Sequence, residues 1–177
     1  VTDAALLVAL ANARSDRRPS HARRRMAHDG LADSTSAAEL LEPFLESPVA
    51  ARDLPALRAV QRAVVAIVDA LIEGLPPPLD ALNALAEREP VIGFLERGAA
   101  GRPLPRLRPR RQSVTGALLI ALFAEVGELD ASRLRRCERR ECRLVFYDTS
   151  RSGTQRWHAE RPCGLRERQR RHRARRD

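Results

Sequence analysis

Lysine is missing altogether from this chain of 177 residues; all 32 of its basic side chains are arginine. Aromatic residues are nearly as scarce, at 3%, although 44% of the sequence is hydrophobic. A core must therefore be filled by Leu, Val and Ala, which suits helices, and the expected fold class is mainly α. Cysteine is limited to Cys137, Cys142 and Cys163, all within 27 residues. A secreted disulfide scaffold uses an even number spread along the chain, so this odd cluster points to a reducing compartment, the cytoplasm. No stretch approaches the ~20 apolar residues of a membrane span, which argues against a membrane partner. "AALLVALANA" at residues 4–13 has the length of a signal-peptide centre, but Asp3 stands where a leader would be basic, and it reads as a first helix. A glycine-rich phosphate loop, a specific carboxylate pair and a Ser/His/Asp arrangement are all absent, so nothing here points to an enzyme.

What the chain does have is positive charge, most of it in the last quarter. The formal net charge is +9, and residues 137–177 hold 13 Arg against six acidic side chains. Such density attracts polyanions, nucleic acid before anionic membrane; the alternative is a solvated, frayed tail.

Upstream the pattern is helical. Residues 2–14 place Leu6, Leu7 and Leu10 on one face. A basic loop with Arg23–Arg25, His21 and His28 reads as wet surface. Ser36 with Glu39 fits a capping box for a helix carrying Leu40, Leu41, Phe44 and Leu45. The clearest helix is "LPALRAVQRAVVAIVDALIEG", with Leu57, Val60, Val64, Ile67, Val68 and Leu71 at helical spacing and Gly74 as its stop. A proline turn precedes a short helix from Asp80. "PVIGFLERG" and "RPLPRLRP" suggest a small hairpin whose prolines confine pairing to edges. "SVTGALLIALFAEVGELDASRLRRC" reads as a long helix, broken near Gly127, running into the first cysteine.

The cysteines form the pattern C-x4-C-x15-H-x4-C over Cys137, Cys142, His158 and Cys163. Two close donor pairs joined by a loop suit a structural Zn2+, a closed tetrahedron with no position left for a substrate water. Three ordinary buried cysteines beside an unrelated histidine are the alternative, and His172 could replace His158. The intervening "RLVFYDTSRSGTQRW" suggests a hairpin turning at "SRSG", with Leu144, Phe146 and Trp157 as a minimal core. A unit of this size rarely folds without such a staple.

"CERREC", "FYDTSRSGTQRW" and "CGLRER" resemble the CGNR-type zinc finger, while "LVALANARSD" and "DGLADSTSAAELLEPF" resemble the ABATE domain usually joined to it. The resemblance implies a bacterial, stress-induced transcription regulator, with a helical ABATE-like domain over residues 1–132 and a finger over 133–177. It implies a treble-clef-like or ribbon-like finger of hairpin plus helix. It also implies zinc ligands at Cys137, Cys142, His158 and Cys163, with an imidazole replacing the family's usual third thiolate. Leu165 stands where the family has Asn, whereas Gly164 and Arg166 are retained.

A helix starting near Cys163, with Pro162 in its first turn, would then display Arg166, Arg168, Arg170, Arg171 and Arg173. Arg151 and Arg156 would add phosphate clamps. The expected partner is double-stranded DNA, with a homodimer and a small-molecule effector assigned to the helical domain. An RNA-binding or protein-interaction module is the alternative, and an enzyme a more distant one.

Overall fold

A computed structural model describes residues 4–14 and 29–174 of the protein. Arg23–Arg25, His21 and His28 lie outside the described residues. About half of the chain is helical, joined by two small antiparallel hairpins, so the expectation of a mainly α fold holds only in outline.

The central element is α3 (Leu54–Ile72), which buries Leu57, Val60, Val64, Ile67 and Val68 as its spacing predicts. It stops at Gly74, whose φ of 70° lets the Gly74 and Leu75 amides return to the carbonyls of Leu71 and Ala70. Around it pack α1 (Ala5–Asn12), α2 (Ser34–Leu41), α4 (Asp80–Ala86) and α5 (Val114–Gly127). The cap of α2 is Asp33, whose carboxylate accepts from the Ser36 amide, rather than the Ser36–Glu39 box. Phe44 and Leu45 lie beyond the end of α2 and pack against the core from the following turn.

Eight residues are too few to hold a helix by propensity alone, and α1 is secured by distant side chains. The Glu125 carboxylate of α5 accepts from the Leu6 and Leu7 amides at 3.0 and 2.7 Å. At the other end the buried Gln61 amide donates to the carbonyl of Ala13 at 2.6 Å. Asn12 behaves as one residue of a strand: its side chain donates to Val145 O and accepts from Val145 N, at 2.8 and 2.9 Å.

The first hairpin pairs β1 (Val91–Arg97) with β2 (Pro103–Pro109). Bonds from Gly98 N to Arg102 O and from Arg110 N to Pro90 O set its register. The even-numbered residues of β2 therefore occupy the hydrogen-bonded positions, and Pro103, Pro105 and Pro109 turn their nitrogens outward, where no donor is needed. Every residue of β1 is exposed, and the ribbon stands out from the helical body.

α5 ends at Gly127 instead of continuing toward the cysteines. Asp130 caps a 3-10 turn (Ala131–Arg133) by accepting from the Ser132 amide, and the chain then enters β3 (Leu134–Arg136). β3 pairs with β4 (Val145–Tyr147), so the second hairpin encloses the first two cysteines. The expected local hairpin around "SRSG" does not form: the turn is present, but Arg156 accepts from the Glu138 amide rather than pairing with β4. Leu134, Val145 and Tyr147 belong to the main core, whereas Phe146 belongs to a second cluster with the three cysteines. An Arg136–Asp69 ion pair at 2.7 Å adds a polar tie between β3 and α3.

Candidate metal centre

Each donor is delivered by a recognisable local device. Cys137 and Cys142 lie in the loop between β3 and β4, closed by bonds from Cys137 N to Leu144 O (2.8 Å) and Cys142 N to Arg139 O (2.9 Å). Arg143, just after the second cysteine, has a φ of 53°, a left-handed conformation that costs a non-glycine residue about 1 kcal/mol. His158 follows Trp157, and Cys163 sits in the bend (Glu160–Gly164) that leads into α6 (Leu165–Arg173). Pro162 thus precedes the helix by a bend, and regular α-helix begins two residues after Cys163.

The four donor atoms lie within 4.8 Å of one another, and all three cysteines are buried and free of disulfides. His158 turns Nδ1 to within 3.4 Å of the Cys142 sulfur. A tetrahedral zinc with Zn–S bonds of ~2.3 Å spaces its sulfur ligands ~3.8 Å apart, so this cluster is closed enough for one ion. His172 lies in the last turn of α6, exposed and outside the cluster.

The thiol chemistry supports the same fit. Hydrogen bonds from the Cys142 thiol, from His158 and from the Arg139 backbone outweigh burial and pull the Cys137 thiol down to about 3. The same Cys137–Cys142 bond, with burial, pushes Cys142 up. Burial and the charge on Cys137 push Cys163 up, partly offset by hydrogen bonds with Cys142 and with the Arg139 side chain. Three thiolates cannot share so small a space unaided; a bound dication makes it feasible and releases protons as it enters. With three thiolates and a neutral imidazole the zinc centre would carry one net negative charge, and Arg139, whose side chain is only 11% exposed, lies beside it. The cluster fits structural Zn2+, held by Cys137, Cys142, His158 and Cys163.

A buried carboxylate organises the loop that carries His158. Asp148 is 0% exposed and accepts from the Ser150 amide and hydroxyl and from the Gln155 amide, at 2.9, 2.5 and 2.7 Å. Arg135 Nε lies 3.5 Å from Oδ2, the oxygen that also accepts from Gln155. Burial pushes the Asp148 carboxyl up, but these bonds and the Arg135 charge prevail and hold it below the ordinary range. Arg133 and Arg135 also donate to the carbonyls of Asp148, Ser150 and Gly153. Sequence reading missed Asp148 and Arg139; the serine two residues after Asp148 was the available signal, as in an Asx turn.

Gly164 has a steric reason. A Cβ there would lie 2.6 Å from a Glu160 carboxylate oxygen and 3.0 Å from the Trp157 ring. Gly164→Ala is therefore expected to displace the indole and destabilise the finger by about 1–3 kcal/mol. Trp157 fluorescence and melting temperature report it; an unchanged pair of values would remove this role.

The seven arginines expected to meet nucleic acid are all exposed, but they are not equivalent. Arg156 pairs with Glu138 and Arg168 with Glu160, and both guanidiniums lie over Trp157, at 5.3 and 5.9 Å from a ring centroid. Arg170 and Arg171 share Glu167, 2.6 and 3.3 Å away. Arg151, Arg166 and Arg173 have no acidic partner among the described residues. Leu165 is 38% exposed on α6. No helix among the described residues is long and apolar enough to cross a membrane.

No curated protein matches the chain. Its segment 133–176, which contains all four donors, matches the family described as the CGNR zinc finger, and over those residues the chain is similar to that family.

Proposed function

We propose that this chain is a zinc-dependent DNA-binding protein, a bacterial transcription regulator of the cytoplasm. In this reading the finger, residues 133–177, binds duplex DNA, and the ABATE-like body, residues 1–132, supplies sensing or dimerisation. The observation that carries it is α6: a metal ligand at its N-terminal end orients an arginine-rich helix in the most basic part of the chain. Two ligands from the loop between β3 and β4 and two from the approach to the helix make the finger treble-clef-like. Arg151, Arg166 and Arg173 are the first candidates for phosphate. Arg156, Arg168, Arg170 and Arg171 are positioned by their glutamates and can exchange them for phosphate on binding.

A groove of about 550 Å3 in the body is lined mainly by apolar side chains, including Val91, Leu107, Leu119 and Phe123. That lining suits an effector better than a reaction, and we assign the chain no catalytic role.

Fluorescence anisotropy against a duplex in a salt series tests the reading. The logarithm of affinity should fall linearly with that of salt concentration, by about 0.9 for each phosphate neutralised. Affinity unchanged between low and moderate salt would sink it. The glutamate pairing of four arginines favours a second reading, an RNA-binding or protein-interaction module. Filter binding that retains structured RNA but not duplex would select its RNA form.

A further inference from the structure

The positive charge has a second pole that the linear sequence does not make obvious. Between residues 91 and 111 stand Arg97, Arg102, Arg106, Arg108, Arg110 and Arg111, against Glu96 alone. All six are exposed. Arg106 is paired with Glu96 at 2.9 Å, and Arg108 lies over the Phe94 ring at 5.3 Å. The remaining four have no acidic partner among the described residues, whereas α6 leaves only Arg166 and Arg173 so placed. Four uncommitted cations are thus gathered on or beside the β1–β2 arm, apart from those of the finger.

The strand register sorts them. Ile92 faces Arg108 and Phe94 faces Arg106, so these side chains share one face, with Arg102 and Arg110 of the same parity beside them. Val91, Pro105 and Leu107 of the odd-numbered face line the groove against α5, with Arg106 the one even-numbered arm residue among its walls. The cationic face is therefore the outer one. Strands of seven residues span roughly 23 Å. A two-stranded ribbon fits a major groove about 12 Å wide. The outward prolines of β2 withhold most of the donors that would recruit another strand on that edge, which leaves side chains to make the contacts. Phe94, 41% exposed amid guanidiniums, supplies an apolar surface suited to a thymine methyl or a sugar.

We propose that the β1–β2 arm is a second duplex-DNA contact surface, separate from the finger, with its even-numbered face laid in a major groove. The assignment rests on the duplex-binding reading above. The test uses the full zinc-loaded chain, a duplex in a salt series, and two charge-matched triple variants. One is Arg102→Gln/Arg108→Gln/Arg110→Gln in the arm. The other is Arg52→Gln/Arg62→Gln/Arg88→Gln, three exposed arginines of the body. Zinc content and circular dichroism verify that both fold.

The arm variant should lose at least tenfold in affinity, and its salt slope should shrink by about 2.7, three phosphate contacts' worth. The body variant should retain the parent slope. Equal losses in the two variants, or an arm variant that matches the parent, overturn the arm while leaving the finger reading intact. A parent chain that binds no duplex overturns both. Tighter binding of structured RNA than of duplex overturns the choice of partner.

Discussion

A Cys163→Ser variant is expected to purify without stoichiometric zinc and to open to protease, first from residue 137 onward and then, because Val145 and Tyr147 belong to the main core, in the helical body. The cluster around the metal contains little else: Phe146, with Leu144 and Trp157 packed beside it. Burying a large apolar side chain stabilises by about 1.5–3 kcal/mol, while a structural zinc contributes on the order of 10–16 kcal/mol near neutral pH. The metal term dominates, and three donors cannot close the tetrahedron. Elemental analysis and limited proteolysis read the outcome. His158→Cys should keep one zinc per chain, because it restores a thiolate at the same place. Full zinc retention by the serine variant, with the parent cleavage pattern, would remove the metal centre as the organiser of this segment.

Asp148→Ala should cost about 3 kcal/mol, the next largest loss. It strips the acceptor from the part-buried Ser150 and Gln155 amides and from the Ser150 hydroxyl, and leaves Arg135 without its counter-charge. The figure sits at the lower end for a broken buried pair because Arg135 is 40% exposed and partly screened. Asp148→Asn preserves the volume and separates charge from shape. Since the folded carboxyl titrates below its unfolded value near 3.8, its stabilisation is complete above that value. It is lost as the pH falls through the folded one. Chemical denaturation from neutral pH downward should show a larger loss in the parent than in the asparagine variant, on top of the loss of zinc that thiol protonation brings to both. Equal stability of the alanine variant at neutral pH would refute the role.

The metal ligands were legible because coordination imposes spacing, and spacing survives in a linear string. α3 was legible for a related reason, since one helix face meets one core. The caps of α1 were not, because Glu125 and Gln61 lie far along the chain and nothing local marks them as partners. The pairing of β4 was misassigned for the same cause. A nearby turn at Ser150–Gly153 suggested a local partner, but Leu134 and Tyr147 gain a shared core by pairing across the cysteine loop. The acids Glu138, Glu160 and Glu167 were visible in the sequence. Only folding shows that they tether four of the arginines.

The β3–β4 ribbon has one side chain set in each of two interiors: Val145 and Tyr147 in the helices, Phe146 against the thiols. Calorimetry should therefore register a single endotherm for the metal-loaded chain, not one for each half. By mass action the free zinc concentration then tunes the lifetime of helices that never touch the ion. Zinc starvation would expose the amino-terminal half to degradation along with the finger.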